Sequence, residues 1–331
     1  MSITIKDVAK EAGVSVATVS RVLNGSCNVS DESTKKVNET IARLNYSPNF
    51  LGRNLRKCET NVILVIMPTS EHSLYSKIVM GMQDYAGHVR YDIITAVSYS
   101  TSTAETRQMN MLFNRTVDGV ILLGTQYDAD SLNKLAENYN VALCCEGVKG
   151  ANVLTVAVDD EQAAFDAVAA LIKKGHKRIG FIGTNSSAIS STARENGYIR
   201  ALKEYGIEIK NEYIYKESYD YDCGGRAFEY FNALAEKPTA IFAVSDLLAI
   251  SAMHKAIDMG IDVGKDVAIM GFDNISMCEW IIPTLSTVEQ PCSKMGELVV
   301  AKLIENMNKT TKDNHYYTVD HRIILRESTG D

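Results

Sequence analysis

Residues 13–24 read GVSVATVSRVLN, and how this stretch folds decides what the first sixty residues are. As a helix it is unusual, because Val and Thr lower helix propensity and almost no charge is present. Its solvent side would carry Val16, Ala17 and Ser20, with one long cation, Arg21. A small, nearly uncharged outer face suits a surface that must be approached closely. The DNA major groove is such a surface, and a recognition helix offers its N-terminal residues to base edges there. Val16 and Ala17 leave room and can meet a thymine methyl, while Arg21 can give guanine two hydrogen bonds. Thr18, Ser20 and Asn24 suit phosphates, which position a helix without specifying sequence.

The flanking residues fit that reading. Thr4 is an N-cap candidate with Asp7 three residues on, and Val8 and Ala12 mark the buried stripe of a first helix. Gly13 makes the turn. Ser15 caps the second helix, whose inner face is Val19, Val22 and Leu23, and NGSCN (24–28) breaks it. Ser30 caps a third helix with Val37, Ile41 and Leu44 at helical spacing. Two short helices joined by a tight turn and braced by a third make a helix-turn-helix. On this segment alone, a three-helix protein-binding module is the alternative.

The next stretch, YSPNFLGRNLRK (46–57), has Pro48 placed to start a helix, but it is short, basic and interrupted by Gly52. Such a helix is marginal alone, so ordering on a partner is expected. Leu51 and Leu55 share a face among Arg53, Arg56 and Lys57, an apolar wedge with basic flanks suited to insertion between base steps in the minor groove. A solvated linker whose leucines pack on the body is the other reading. Residues 1–60 hold nine Lys and Arg against six acids, whereas the whole chain of 331 residues carries −7. A basic head on an acidic body points to a polyanion partner for the head only.

TIKDVAKEAGVSVATVSRVLN (4–24) followed by LNYSPN (44–49) resembles the headpiece of the lactose/galactose repressor family of bacterial transcriptional regulators. SVATVSRVLN is especially like the galactose-repressor branch, and YSPNFLGRNL resembles the hinge of that and the purine-repressor branch. The resemblance implies that Arg21 reads guanine, that Leu55 wedges the operator's central step, and that Asn49 and Arg53 lie near backbone and minor groove. Thr4, Ile5, Asn28 and Ser30 complete the expected DNA-facing set.

The remainder alternates apolar strands with amphipathic helices: NVILVIMP, YDIITAVS, VDGVILLG and VALCCE, then RIGFIGT, AIFAVS and VAIMGFD. This predicts an α/β body of two similar lobes, each a parallel sheet covered by helices on both faces, resembling a periplasmic binding protein. The expected boundaries are a headpiece at 1–46, a hinge at 47–60 and a body at 61–331. From the resemblance, the chain should cross between lobes near 160, 290 and 320, giving lobe one 61–160 and 291–320, and lobe two 161–290 and 321–331.

Such sheets bind ligands at the carboxyl ends of their strands. Polar groups just past those ends are Ser73, Tyr75, Arg194, Tyr219, Asp246 and Asp273. A cation and carboxylates lining one cleft can hold a polyhydroxylated ring, with Tyr75 or Tyr219 stacking on an apolar face. Each Asp could equally be a helix N-cap. The resemblance places Arg194 (in ARENGY) and Asp273 (in GFDN) on the family's effector-binding positions, and Asp246 on one that is often ligand-facing. EHSLYSK (71–77) departs from the Asn-Pro and paired aromatics of many relatives. The effector could therefore be a sugar, a sugar phosphate or a nucleobase.

Seven cysteines without C-x-x-C spacing read as reduced packing residues, Cys144 and Cys145 among them, and predict no metal site. Trp280 is expected in packing, and His176 at a helix end where its charge suits the dipole. No apolar run approaches the ~20 residues that span a bilayer, and the N-terminus lacks an apolar signal region. Glycine-rich nucleotide loops, nucleophile elbows and H-E-x-x-H are absent, so no enzyme and no cofactor is expected. A periplasmic solute-binding protein would not carry the head. The prediction is a cytoplasmic, nucleoid-associated homodimer that binds a palindromic operator under effector control. The absence of a heptad tail favours a dimer over a tetramer. A body that docks a phosphorylated carrier protein as co-repressor is the alternative.

Overall fold

The computed structural model describes residues 3–23, 29–46, 59–70, 72–186, 188–309 and 312–331. Asn24, Asn28, Asn49, Arg53 and Leu55 lie outside the described residues. The chain divides into two compact units, Met1–Glu59 and Thr60–Asp331.

The first unit holds α1 (Ile5–Ala12), α2 (Val16–Leu23) and α3 (Asp31–Leu44). Each helix begins where a short polar side chain answers an orphan amide or its neighbour. The Asp7 carboxylate accepts from the Thr4 amide at 2.8 Å and hydroxyl at 2.7 Å. Thr18 N donates to Ser15 Oγ at 3.1 Å, and Ser33 N to Ser30 Oγ at 3.4 Å. Gly13 ends α1 in the left-handed region at φ 68°, which a side chain would strain. Val8, Ala9, Val19 and Val37 are buried together, with Ala12, Val22, Leu23, Ile41 and Leu44 packed around them.

In the second unit the first lobe begins β1 (Val62–Met67), α4 (Ser73–His88), β2 (Asp92–Val97), α5 (Ser102–Phe113) and β3 (Gly119–Leu122). It continues with α6 (Ala129–Asn138), β4 (Val141–Cys144) and β5 (Leu154–Ala157). The second lobe follows with α7 (Asp160–Lys173), β6 (Ile179–Thr184), α8 (Ile189–Glu204), β7 (Ile214–Glu217) and α9 (Tyr221–Ala233). Then come β8 (Ala240–Ala243), α10 (Asp246–Asp258), β9 (Ala268–Asp273) and β10 (Ser286–Glu289). The chain ends through α11 (Cys292–Met307), β11 (Tyr316–Thr318) and β12 (Arg322–Ile324).

Two six-stranded sheets result, ordered β11-β5-β4-β3-β1-β2 and β12-β10-β9-β8-β6-β7. All pairings are parallel except β10 with β12. Near-continuous apolar strands such as Val62–Met67 are what two-sided burial requires. The chain passes between sheets after β5, after β10 and between β11 and β12. The loop after residue 60 is pinned at the start of the body: Thr60 and Asn61 amides both donate to the Asp118 carboxylate at 2.7 Å.

Two expectations change. Trp280 is 76% exposed, on a surface loop beside Ile282, instead of packed. His176 is half-buried and bonded to Thr239 Oγ1 at 3.0 Å; burial, then Lys174, pulls its pKa down, so it does not serve as a cation for the helix end.

Candidate functional site

In the first unit, Val16 is 42% exposed, and Ala17 and Arg21 also face solvent from α2. Val19 of the same helix is fully buried. The bald outer face anticipated from the sequence is thus present, with Arg21 its long arm. Arg21 forms no ion pair with any described residue. Thr4, Ser15 and Ser30 lie exposed at helix starts, Thr18 and Ser20 are half-buried, and Ile5 packs partly onto the core.

In the body, a cavity of about 650 Å³ opens where the carboxyl ends of both sheets meet. From the first lobe it takes Pro68 and Thr69 after β1, Ser98 after β2, Thr125 to Tyr127 after β3, and Cys145 to Lys149 after β4. His72, Leu74 and Tyr75 add the start of α4. From the second lobe come Thr184, Ser190, Ser191 and Arg194, Tyr219 after β7, Val244 and Ser245 after β8, and Asp273 at the end of β9. The polar groups are delivered by strand ends and by the opening turns of α4 and α8, as a doubly wound sheet dictates.

Arg194 is held on four sides. Its Nε donates to Asp160 Oδ1 at 2.8 Å and an Nη to the Val244 carbonyl at 2.6 Å. The same Nη lies 3.7 Å from Asp273 Oδ1, and the guanidinium stacks over Phe272 at 3.6 Å. Such a group stays charged and cannot swing away. Asp273 Oδ1 also accepts from Gln290 Nε2 at 2.7 Å. Its backbone has φ 119° and Asn274 follows at 53°, a pair of positions that non-glycine residues rarely occupy. Strain of this kind persists only where surroundings over-determine it.

Four contacts join the lobes across the cavity. His72 Nε2 meets Tyr219 Oη at 3.2 Å and Asp273 Oδ2 at 3.8 Å. Lys77 Nζ donates to the Asn274 carbonyl at 2.7 Å, and Ser190 Oγ to Glu146 Oε1 at 3.3 Å.

Of the six residues singled out from sequence, Tyr75, Arg194, Tyr219 and Asp273 line this cavity, whereas Ser73 and Asp246 do not. Ser73 is exposed as the first residue of α4, on the far side of His72 and Leu74. Asp246 is 0% exposed. Its carboxylate accepts from Thr287 Oγ1 at 2.5 Å and from the Ile275 amide at 2.8 Å, so it braces the turn that presents Asp273. Nor is Asp246 the cap of α10; Ser245 is. Gly271 makes this possible, because a Cβ there would sit 2.4 Å from Asp246 Oδ1. Burial, and then Asp273, pushes the Asp246 carboxyl up to about 7. Cys145 ends at the cavity wall in a left-handed turn, φ 73°, rather than inside a strand.

Sequence reasoning missed His72, Gln126, Glu146 and Asp160. Gln126 and Glu146 follow strands β3 and β4 just as Asp273 ends β9, so the strand-end rule, applied evenly, would have found them. Asp160 carried no local signal.

A helix-turn-helix unit followed by a two-lobed body with a polar cleft defines a ligand-controlled DNA-binding regulator. Residues 4–49 match the lacI family of bacterial regulatory proteins, and residues 168–329 match the periplasmic binding protein-like domain. The chain is 38% identical to catabolite control protein A of Priestia megaterium over 99% of its own length and 100% of that protein's. It therefore belongs to the lacI family of bacterial transcriptional regulators. The structure of the regulator CelR in complex with cellobiose matches with a TM-score of 0.75 and 27% identity, covering 98% of this chain and 99% of CelR. The lac repressor dimer bound to operator and an anti-inducer shares the fold, with a TM-score of 0.88 at 23% identity and 99% of each chain covered.

Proposed function

We propose that the chain is a homodimeric repressor of carbohydrate or nucleoside metabolism genes, and that a polyhydroxylated effector in the cleft sets its operator affinity. The observation that carries this is the convergence of Arg194, Asp273, Tyr75 and Tyr219 on one 650 Å³ cavity, a size suited to a small ligand. CelR is described with cellobiose and the lac repressor as a dimer on its operator, which supports a sugar-like effector and a palindromic site read by two headpieces. In this reading Val16, Ala17 and Arg21 face base edges, with Thr4, Ile5, Ser15, Thr18, Ser20, Asn24, Asn28 and Ser30 around them. Asn49, Arg53 and Leu55 act at the minor groove. A regulator of this kind works beside the chromosome, in the cytoplasm. Similarity to a catabolite control protein keeps a second reading open, in which a phosphorylated carrier protein docks on the body as co-repressor.

The test begins with selection from a pooled library of palindromic duplexes at moderate salt. One enriched palindrome then serves to titrate candidate effectors against wild type and Arg194→Ala. The proposal requires that a small molecule change operator affinity in wild type and that Arg194→Ala lose this response while still binding the operator. A response that survives the substitution overturns the cleft assignment. A response obtained only with phosphorylated carrier protein favours the second reading.

A further inference from the structure

The cleft's charges go further than its shape. Among the lining residues, Glu146 faces the cavity from the first lobe and Asp273 from the second. Arg194 is the one buried cation among the described lining residues, and it is already bonded to Asp160 and to the Val244 carbonyl with Asp273 beside it. Three carboxylates thus surround one guanidinium. Lys77, the nearby lysine, is committed to the Asn274 carbonyl. Lys149 sits exposed at the rim, where solvent screens it. Glu146 accepts from the Ser190 hydroxyl through Oε1 at 3.3 Å and is in no ion pair among the described residues. Among the described residues, the ion-pair partner of Asp273 Oδ2 is His72 Nε2 at 3.8 Å.

A phosphoryl group would have to lie among these carboxylates with no free cation to receive it, whereas an ammonium would find acceptors on both lobes. We infer that the effector of this cleft is an amine-bearing polyhydroxylated molecule, such as an amino sugar, and not a phosphorylated one. The inference rests on the cleft being the effector site. Burial raises the pKa of both Glu146 and Asp273, and Arg194 opposes the rise at each. Because the two acids belong to different lobes, a bound ammonium would also draw the lobes together.

Calorimetric titration of the full chain with the β-1,4-linked glucosamine disaccharide, with cellobiose and with glucose 6-phosphate tests this. The first two differ chiefly in replacing hydroxyls by ammonium groups. The diamine should bind about tenfold or more tightly than cellobiose, as one added charge-assisted hydrogen bond implies, and glucose 6-phosphate should bind weakest. Glu146→Gln, which preserves shape and the Ser190 contact, should bring the diamine and cellobiose to within about twofold. Equal affinity for the first two, tighter binding of the phosphate, or no binding by any of them overturns the inference. If cellobiose or the phosphate binds and Arg194→Ala abolishes that binding, the cleft remains the effector site and only the charge selection is wrong. If the diamine binds but neither substitution affects it, the cleft assignment itself fails.

Discussion

Asp246 shows how far one residue's role depends on a neighbour's missing side chain. Without a Cβ at Gly271, its carboxylate can fold under β9 and receive Thr287 and the Ile275 amide. The consequence is an acid whose pKa, pushed up to about 7 by burial and by Asp273, lies well above that of an unfolded aspartate. The folded chain then binds its proton more tightly than the unfolded one. Its contribution to stability is whole below about pH 4 and is lost as pH rises through 7. Urea denaturation of the full chain should show stability falling between pH 5 and pH 8. Asp246→Asn should flatten that fall while lowering stability at pH 5, where an amide faces the Ile275 N–H; an undiminished slope would place the pH dependence elsewhere. Arg21 belongs to the same scale. Its side chain extends from the exposed face of α2, so Arg21→Ala should cost about 1–3 kcal/mol of operator affinity and relax preference at one base position per half-site. A uniform loss across all sequences would make it a phosphate contact instead.

Helices α4 and α11 meet backbone to backbone. A Cβ on Gly296 would lie 2.2 Å from the Ile78 carbonyl oxygen, and one on Gly81 2.2 Å from that of Ser293. Since neither backbone can yield alone, Gly296→Ala should separate the helices and cost about 1–3 kcal/mol, read as a fall in Tm by circular dichroism. Gly87, also in α4, has nothing within 4 Å of where its Cβ would be. Gly87→Ala should therefore hold or raise Tm, because Ala is the better helix former by up to about 1 kcal/mol. Equal losses from both would mean that helix packing is not the cause. Elements were the scale at which the sequence was most legible. Ser15 and Ser30 cap helices by bonds that span three residues, and strand burial shows in a run such as VILVIM, so local pattern suffices for both. The site was half legible. Asp273 ends a strand and Arg194 lies in the second turn of α8, each within a recognisable motif, but the Asp160–Arg194 pair joins residues thirty-four apart, which no periodicity encodes. Trp280 was misjudged because apolar character does not oblige a residue to be inside.

For the whole molecule, the question is how a ligand among strand ends can be felt at DNA. Both units belong to one chain, and the body opens with Thr60 and Asn61 clamped onto Asp118 directly before β1. The residues that open the body are thereby fixed to the first lobe. The second lobe is joined to the first by three crossings and by the His72–Tyr219, Lys77–Asn274 and Glu146–Ser190 contacts. A ligand that changes these contacts changes the angle between lobes, and it shifts the operator equilibrium only by its differential affinity for the two states. Linkage requires that change to be reciprocal: the factor by which effector alters operator affinity must equal that by which operator alters effector affinity, corresponding to about 1–3 kcal/mol. Lys77→Met removes one bridge without touching the headpiece. It should weaken effector binding and reduce both coupling factors together, leaving operator affinity in effector-free protein within about twofold of wild type. Anisotropy titrations of operator and calorimetric titrations of effector, each with and without the other ligand, provide the four affinities. Unequal factors would mean that the titrations had not reached equilibrium, since reciprocity of binding free energies holds for any mechanism. If the factors stay equal but unchanged in Lys77→Met, lobe closure is not what carries the signal.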